Sequence, residues 1–255
     1  MKIFITGGTS GIGWALTEYY LNRGHQVGIC GRDLKKLPEV SKFFLGKGLT
    51  CFEVDVTDRV ALMGVIKDFA KGKLDLLIAN AGISQGDKSS YPKFSSAREI
   101  LKINLDGFLN TFEAGFNIME KEGGHLVAIS SVAGLVGLPG AAAYCGSKSA
   151  VLKICESYSI DFKKFGIDVT TIAPGFVDTP LTRKNKHPMP FLMDPKKAAI
   201  KISKAIDKKK SLYIFPLRMK FLMILLEKMP RSLYRYLMSF SRFAYPSHYE
   251  KGNNQ

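Results

Sequence analysis

The sequence predicts one α/β domain in which helices cover both faces of a single parallel sheet. Short apolar runs, typical of buried strands, alternate with longer segments of helical periodicity through most of the 255 residues. A glycine-rich turn joins the first apolar run to the first helical segment, as is common in βαβ units. The length suits one large domain, and we find no internal repeat, low-complexity tract or linker that would divide the core.

The strands are predicted from seven short apolar runs. These runs are Lys2–Thr6, Gln26–Gly31, Thr50–Asp55, Asp75–Ala79, His125–Ser130, Asp168–Ala173 and Leu212–Phe215. Helical patterns fill the gaps between them, and the longest lie near Ser95–Glu120 and Ala143–Lys164. Strands separated by helices pair in parallel with right-handed crossovers, so the sequence predicts a doubly wound sheet of about seven strands.

A phosphate-binding turn is predicted between the first strand and the first helix. The segment Gly7-Gly-Thr-Ser-Gly11-Ile-Gly13 follows the strand Lys2–Thr6 and opens a helical run. Its glycines let the backbone approach a pyrophosphate, and a helix N-terminus presents free N–H groups to it. Tight strand–helix turns also need glycine, but the strand before the turn and the helix after it supply the context that phosphate binding requires.

Three side chains between residues 131 and 148 form a candidate acid–base site. Tyr144 and Lys148 are four residues apart, so a helix places them on one face. An ammonium beside a phenol favours the phenolate and brings the tyrosine pKa, ordinarily about 10, towards working pH. Ser131 follows a predicted buried strand, and its hydroxyl is placed to hold a carbonyl oxygen. Such Tyr–Lys pairs also occur on exposed helix faces, so the interpretation of this pair as a catalytic site depends on support from the other motifs.

Together these segments resemble the short-chain dehydrogenase/reductase family. The matching motifs are Thr6-Gly7-x-x-x-Gly11-x-Gly13, Asn80-Ala81-Gly82, Ser131, Tyr144-x-x-x-Lys148 and Pro174-Gly175, in the family's order over about residues 1–215. The resemblance implies a Rossmann-type domain, a nicotinamide cofactor, and hydride transfer between that cofactor and a carbonyl or alcohol. It also implies catalytic roles for Asn104, Ser131, Tyr144 and Lys148, with Asn104 bending its helix and ordering a water against the lysine.

The same resemblance implies a cofactor site at the carboxyl ends of the strands. Its residues are Gly7, Thr9, Ser10, Gly11, Ile12, Gly13, Arg32, Asp55, Val56, Asn80, Ala81, Gly82, Tyr144, Lys148, Pro174, Gly175, Val177 and Thr179. Asp55 is expected to accept a hydrogen bond from the adenine amine, and Thr179 to touch the carboxamide. Asp55 and Asp58 also suit simple loop and helix-cap roles.

The tip of the second strand favours NADP(H) over NAD(H). A carboxylate at this position binds the ribose hydroxyls of NAD and repels the extra phosphate of NADP. By resemblance the position is Gly31, which carries no charge, and the adjacent Arg32 suits a phosphate with its planar fork. Asp33 lies beyond the tip and is expected to cap the helix that starts at Leu34.

An apolar lid is predicted over the substrate. The segment 181–193 collects Pro188, Met189, Pro190, Phe191, Leu192 and Met193 after the sixth strand. Apolar residues on a loop favour a binding role, although they also serve to pack a loop down. We therefore expect a small apolar, lipid-like carbonyl or alcohol as substrate.

The C-terminal segment departs from the pattern of the preceding domain. Residues 1–182 hold 20 Lys and Arg against 18 Asp and Glu, whereas residues 183–255 hold 17 against 4, so +13 of the net charge of +15 lies in the last part. We divide the chain into a catalytic domain, 1–215, and a basic helical extension, 216–255. In Ser232–Ala244, Leu233, Tyr236, Leu237, Phe240 and Ala244 share one helical face, and Arg231, Arg235, Ser239 and Arg242 share the opposite face.

Two roles for the extension stay open at this stage. A basic amphipathic helix suits the surface of an anionic membrane, where it makes weak contact. It equally suits covering the pocket of its own or a neighbouring subunit. No motif supports nucleic acid binding.

The remaining features bound the class of protein. The four cysteines form no CxxC and no metal-ligand spacing, which suits a reducing cytoplasm and predicts no metal site. The expected location is cytoplasmic, with a peripheral place at the inner membrane surface left open. By family resemblance the two longest helices pair between subunits, so a homodimer or homotetramer is expected. The alternative to an enzyme is a cofactor-binding regulator or membrane-docking protein without turnover, for which four intact catalytic residues are unnecessary.

Overall fold

The seven predicted strands form one parallel sheet. A computed structural model describes residues 1–84, 93–184 and 188–240 of the chain. The strands are β1 Lys2–Thr6, β2 Gln26–Gly31, β3 Leu49–Glu53, β4 Leu76–Ala79, β5 Gly124–Ile129, β6 Ile167–Pro174 and β7 Leu212–Phe215. Their order is β3-β2-β1-β4-β5-β6-β7, so the chain reverses direction across the sheet between β1 and β4. This is the doubly wound Rossmann topology, and ligands bind such sheets at the point of reversal.

Helices lie on both faces of the sheet. They are α1 Gly11–Leu21, α2 Ser41–Phe44, α3 Arg59–Ala70, α4 Phe94–Leu101, α5 Gly107–Met119, α6 Ala142–Asp161, α7 Pro195–Asp207, α8 Leu217–Lys228 and α9 Arg231–Phe240. Short 3-10 helices occupy Leu34–Lys36, Val132–Gly134, Phe162–Phe165 and Thr182–Lys184. One π-helix, Lys102–Asp106, joins α4 to α5 inside the long helix predicted near Ser95–Glu120.

The core has one apolar layer on each face of the sheet. Because successive strand residues point to opposite faces, Ile3 and Ile5 of β1 pack with α1 and α7, while Phe4 packs with α3 and α5. Tyr20 and Phe112 are the largest fully buried side chains that the helices add to these layers. The sheet is thus covered on both faces, as parallel sheets require.

The C-terminal helices pack beside the sheet. Met219 and Met223 of α8 and Tyr234 of α9 are buried against Val132 and Val136, which follow β5. The Tyr234 hydroxyl donates a hydrogen bond of 2.6 Å to the carbonyl of Gly137. Within residues 1–84, 93–184 and 188–240, no helix is long and apolar enough to cross a membrane. The positions predicted to continue α9, Arg242 and Ala244, lie outside the described residues.

Candidate active site

A cleft of about 280 Å³ opens at the carboxyl ends of the strands, where the sheet order reverses. Every residue that the sequence predicts for the cofactor or for catalysis lines this cleft, with two exceptions. Gly13 faces the Gly7 carbonyl and Asn80 on the inner side of the glycine-rich turn, and Asn104 lies behind Lys148. Residues predicted from six separate loops therefore come together in one cavity.

The glycine-rich turn is held closely against β4. Gly7 has a left-handed φ of +65°, and a Cβ there would lie 2.8 Å from the Cα of Ala81. A Cβ on Gly13 would lie 2.2 Å from the Gly7 carbonyl oxygen, so only glycine fits at either position. The Asn80 side-chain amide donates to the carbonyls of Thr6 and Gly7, both at 3.0 Å. The loop after β4 thus fixes the shape of the turn.

The N-terminus of α1 fits a phosphate group. Ser10 occupies the N-cap position and lines the cleft, but among the described residues its side chain makes no capping hydrogen bond. The first N–H groups of any helix have no partner within the helix, and they carry a partial positive charge. The turn therefore presents available donors to the cleft, as the pyrophosphate of a dinucleotide requires.

Lys148 is buried beneath the floor of the cleft. Its Nζ donates a hydrogen bond of 2.9 Å to the carbonyl of Ile129, the last residue of β5, and lies 5.9 Å from the centre of the Tyr144 ring. Burial lowers the pKa of the Lys148 amine to about 8, because desolvation disfavours the charged form. The amine and the half-buried Tyr144 share one face of α6, as their spacing predicts.

Asn104 supports Lys148 from behind. Its side-chain oxygen accepts from the Ile83 N–H at 2.8 Å, and its amide nitrogen donates to the Ile83 carbonyl at 2.9 Å and to Ser147 Oγ at 3.1 Å. Asn104 lies in the π-helix between α4 and α5, so the helix does depart from α geometry at this asparagine. The side chain is buried and ties the loop after β4 to α6.

The two serines after β5 have different partners. Ser131 is half-buried in the cleft, and its Oγ accepts from the Ala133 N–H at 3.1 Å, which caps the following 3-10 helix. A serine hydroxyl that accepts such a bond still carries a proton to donate. Ser130, which the sequence reading passed over, donates to the Lys148 carbonyl at 2.8 Å and so joins β5 to α6.

The far end of the cleft carries positive side chains. Arg32 is exposed at the rim, and Lys36 from the next 3-10 helix joins it in the lining. Asp33 accepts from the Lys35 N–H at 2.9 Å, which confirms its predicted role as a cap. A Cβ on Gly31 would lie 2.8 Å from Thr9 Cγ2, so the position is closed to larger side chains as well as uncharged.

Asp55 has the loop role that the sequence left open and also lies in the cleft, where its predicted bond to the adenine amine stays a prediction. It lines the cleft with Val56, and its carboxylate accepts from the Thr57 N–H at 2.8 Å, which shapes the loop. Asp58 caps α3 by accepting from the Ala61 N–H at 3.0 Å. Asp58 therefore has the helix-cap role that the sequence analysis allowed for it.

Several lining residues were missed by the sequence reading. They are Lys36, Val54, Ile83, Ile103, Ile129, Ser130 and Pro180. Gly31 and Asp33, considered above at the strand tip, and Leu181 and Thr182, at the start of the predicted lid, also line the cleft. Thr182 holds the loop after β6, because its hydroxyl donates to the Val177 carbonyl at 2.6 Å and accepts from the Thr179 N–H at 2.9 Å. Two threonines three residues apart are common in proteins, so the sequence alone does not indicate that Thr182 bonds to this loop. Lys36 was visible as a basic residue soon after Arg32.

The predicted lid is partly packed and partly exposed. Met193 is bonded to Phe176 and Asp178 through the backbone, so the end of the segment is fixed beside the cleft. Phe191 and Leu192 are 43% and 47% exposed. Residues 185–187 of the predicted lid lie outside the described residues.

Fold and site together define a dinucleotide-dependent oxidoreductase of the Rossmann type, and sequence comparison names the family. The family model for short chain dehydrogenases matches residues 1–190. The protein belongs to the short-chain dehydrogenase/reductase family, whose members are NAD(P)-dependent enzymes acting on CH–OH and C=O groups.

Relatives of known sequence agree with this assignment. The chain is 36% identical over 217 residues to an uncharacterized oxidoreductase of Myxococcus xanthus, which covers 83% of this chain and 86% of that protein. It is 31% identical over 186 residues to the 3-oxoacyl-(acyl-carrier-protein) reductase FabG of Thermotoga maritima, which covers 71% of this chain and 75% of that protein.

Solved structures share the fold. A short chain dehydrogenase from Burkholderia cenocepacia, in complex with NADP, has a TM-score of 0.80 at 23% identity, covering 92% of this chain and 96% of that one. ElxO with NADP bound has a TM-score of 0.74 at 26% identity, covering 84% of this chain and 97% of that one.

Proposed function

We propose that the protein is an NADP-dependent oxidoreductase that interconverts a carbonyl and an alcohol on a small apolar, lipid-like substrate. The observation that carries this proposal is the arrangement of Lys148, Tyr144 and Ser131 in the same cleft as the glycine-rich turn. The cofactor, when bound, supplies or accepts the hydride. The side chains of the protein are then needed only to bind, to orient and to move a proton.

Tyr144 is proposed as the acid and base. In reduction its phenol gives a proton to the oxygen that gains charge as the carbonyl is reduced, and in oxidation the phenolate takes it back. Ser131 donates a hydrogen bond to the same oxygen and so stabilises the developing negative charge. Lys148, still mainly protonated at neutral pH, stabilises the phenolate through its charge.

Lys148 and Asn104 are also proposed to position other groups. The Lys148 ammonium has donors left beyond its bond to Ile129, and these suit the ribose hydroxyls of the nicotinamide half. Asn104 fixes the depth of Lys148 through Ser147 and the loop at Ile83, and it is proposed to hold the water that returns protons to the site.

The preference for NADP over NAD is supported by charge. Arg32 and Lys36 offer two cations at the adenosine end, and Gly31 offers no competing carboxylate. A guanidinium binds a phosphate through parallel hydrogen bonds. ElxO, whose structure was solved with NADP bound, provides support from a relative.

An apolar substrate is supported by the lid. Phe191 and Leu192 are exposed next to the loop that carries Val177 and Thr179. A relative named as a 3-oxoacyl reductase acts, by that name, on an acyl chain, which is apolar. We propose acyl ketones, long-chain aldehydes and other apolar carbonyl compounds as the class to test.

The remaining proposals concern partners and location. We propose a homodimer, or a homotetramer, formed through the surfaces of α4 to α6, and a cytoplasmic location with weak peripheral contact at the inner membrane surface through the C-terminal extension. The extension is basic, as an anionic membrane surface would require.

A substrate screen tests the proposed function. Oxidation of NADPH is followed at its absorbance maximum against a panel of aldehydes, ketones, steroids and fatty acyl ketones of increasing chain length. We expect turnover to rise with chain length within the panel. Absence of NADPH binding by the protein would contradict the proposal, as would turnover confined to short, charged substrates.

A further inference from the structure

We propose that α8, α9 and the lid form one membrane-docking surface beside the active site, and that the substrate is a lipid-soluble carbonyl or alcohol that enters from the bilayer. This inference rests on the proposed function and names the source of its substrate. We call the exposed apolar residues of these three segments the docking surface. They are Phe191, Leu192, Leu217, Phe221, Leu222, Leu225, Leu233, Tyr236 and Leu237.

Helix α8 is apolar on two sides. Met219 and Met223 point inward and are buried against the core. Leu217, Phe221 and Leu225 repeat every four residues on the outer side and are 65%, 69% and 63% exposed. A helix that is apolar all round needs a second apolar environment besides the core of its own domain.

Helix α9 repeats this arrangement. Its inner side carries Tyr234, whose hydroxyl is bonded to the Gly137 carbonyl. Leu233, Tyr236 and Leu237, the apolar face predicted from sequence, lie on the outer side and are 46%, 63% and 43% exposed. The described part of this face therefore does not cover the pocket of its own subunit.

The docking surface adjoins the active-site cleft. The Arg218 guanidinium of α8 lies 5.8 Å from the centre of the Phe191 ring in the lid. A Cβ on Gly175, a residue of the cleft, would lie 3.3 Å from Met219 of α8. Gly137, to which α9 is bonded, precedes Leu138, and both Leu138 and Tyr144 pack against the buried cluster of Ala133, Ala141 and Cys145. A molecule leaving a bilayer at this surface would thus meet the cleft at the lid and at Gly175.

Charge selects a membrane over a second copy of the chain. Arg218 and Lys228 are exposed near the two ends of α8, and Arg231 and Arg235 are exposed on the face of α9 opposite its outer apolar residues. Glu227 is the single acidic residue between 216 and 240. A symmetric dimer would bring the same positive patch against itself. Anionic headgroups instead attract it, and the apolar side chains enter the boundary below them.

Vesicle co-sedimentation of the full chain tests the docking surface. Vesicles of phosphatidylglycerol and phosphatidylcholine are compared with phosphatidylcholine alone, at low and at high salt. We expect binding to the anionic vesicles that weakens as salt rises, because these attractions are screened within roughly 10 Å at 0.1 M salt. Replacing Arg231 and Arg235 together by Gln should weaken binding about 25-fold, at about fivefold for each charge.

A matched pair of variants separates the docking surface from general stickiness. Phe221→Gln removes an outward aromatic side chain of α8 that is 69% exposed. Phe43→Gln removes an aromatic side chain of similar exposure, 62%, from α2, which is not part of the docking surface. We expect Phe221→Gln to weaken vesicle binding by at least about tenfold. Phe43→Gln should leave it unchanged.

Three results would overturn the inference. They are no binding to anionic vesicles at low salt, equal effects of Phe221→Gln and Phe43→Gln, and a loss of dimer mass in light scattering on Phe221→Gln without any change in vesicle binding. The last result would assign the surface to a second subunit. Vesicle binding needs no turnover, and NADPH binding is measured separately, so failure here leaves the proposed oxidoreductase function intact.

Discussion

At the scale of single residues, the environment of Lys148 explains most of the site. Its amine is buried, bonded to the Ile129 carbonyl, and close to Tyr144. A lysine in this position costs stability, because the charged form is desolvated. Buried ionisable groups with shifted pKa values are typical of functional sites, and here the buried cation lies near a phenol, where its charge is chemically useful.

The burial of Lys148 predicts how stability depends on pH. In the folded apo-protein its pKa is about 8, against 10.5 for the ordinary group. Between these values the unfolded chain binds one more proton, so the free energy of unfolding rises with pH from about 8 to 10.5. We expect Lys148→Met to abolish up to about 3 kcal/mol of this rise.

Urea unfolding of the apo-protein across pH 7 to 10.5 measures this effect. The stability of Lys148→Met relative to the original protein should be highest at pH 7 and should fall as pH increases. Lys153→Met is the control, since Lys153 is exposed on the same helix. A difference that does not vary with pH would contradict the burial of a titrating amine.

Arg32 predicts the choice of cofactor. Arg32→Ala should weaken NADPH binding by about 10-fold to 100-fold, because it removes a charge-assisted hydrogen bond to the phosphate. It should leave NADH binding nearly unchanged, because NADH lacks that phosphate. Lys35→Ala is the control, because Lys35 is close in sequence but does not line the cleft. Fluorescence titration with both cofactors checks the outcome. Equal losses for NADPH and NADH would argue against a phosphate contact.

At the scale of elements, the departure from α-helical geometry at Asn104 was expected only from the family resemblance and not from the residue pattern. The long helix predicted near Ser95–Glu120 appears as α4, a π-helix and α5. Periodicity detects apolar faces, but it does not detect a change in the hydrogen-bond step within a helix. The π-helix contains Asn104, whose side chain bonds to the backbone of Ile83 in a different part of the chain.

Asn104→Ala tests this element. The substitution leaves the N–H and C=O of Ile83 without their side-chain partner, so we expect a loss of about 2–4 kcal/mol in the free energy of unfolding. Asn110→Ala is the control, since it removes one half-buried bond to the Val56 carbonyl and should cost about 1 kcal/mol. Chemical denaturation checks both variants. Similar costs for the two would show that Asn104 does not organise the site.

The sequence predicted the strands better than the loops. All seven predicted strands are present within one or two residues, because buried parallel strands are continuous apolar runs. The role of Thr182 could not be predicted, since its bonds to Val177 and Thr179 depend on the path of the loop. In α9 the sequence identified the outer apolar face but not Tyr234, whose partner Gly137 is 97 residues away.

At the scale of the whole molecule, subunit pairing is predicted from α4 to α6. Phe94 and Ile160 are each 71% exposed on α4 and α6, so both apolar side chains are available for contact with a second subunit. We expect a homodimer, and Ile160→Lys should convert it to monomer. Val60→Lys on α3 is the control, at 77% exposure. Light scattering over a wide range of concentrations checks this, and a monomeric original protein would refute it.

Tyr144→Phe tests the central claim most directly. The substitution removes only the phenol hydroxyl, so NADPH should bind as before. Single-turnover oxidation of NADPH by the best substrate of the screen should then fall by about 10²–10⁴-fold, as expected for a lost acid–base group. Tyr158→Phe on the same helix, whose ring stacks on Phe162 at 4.5 Å, should retain full activity. Near-normal turnover by Tyr144→Phe would contradict the proposed mechanism.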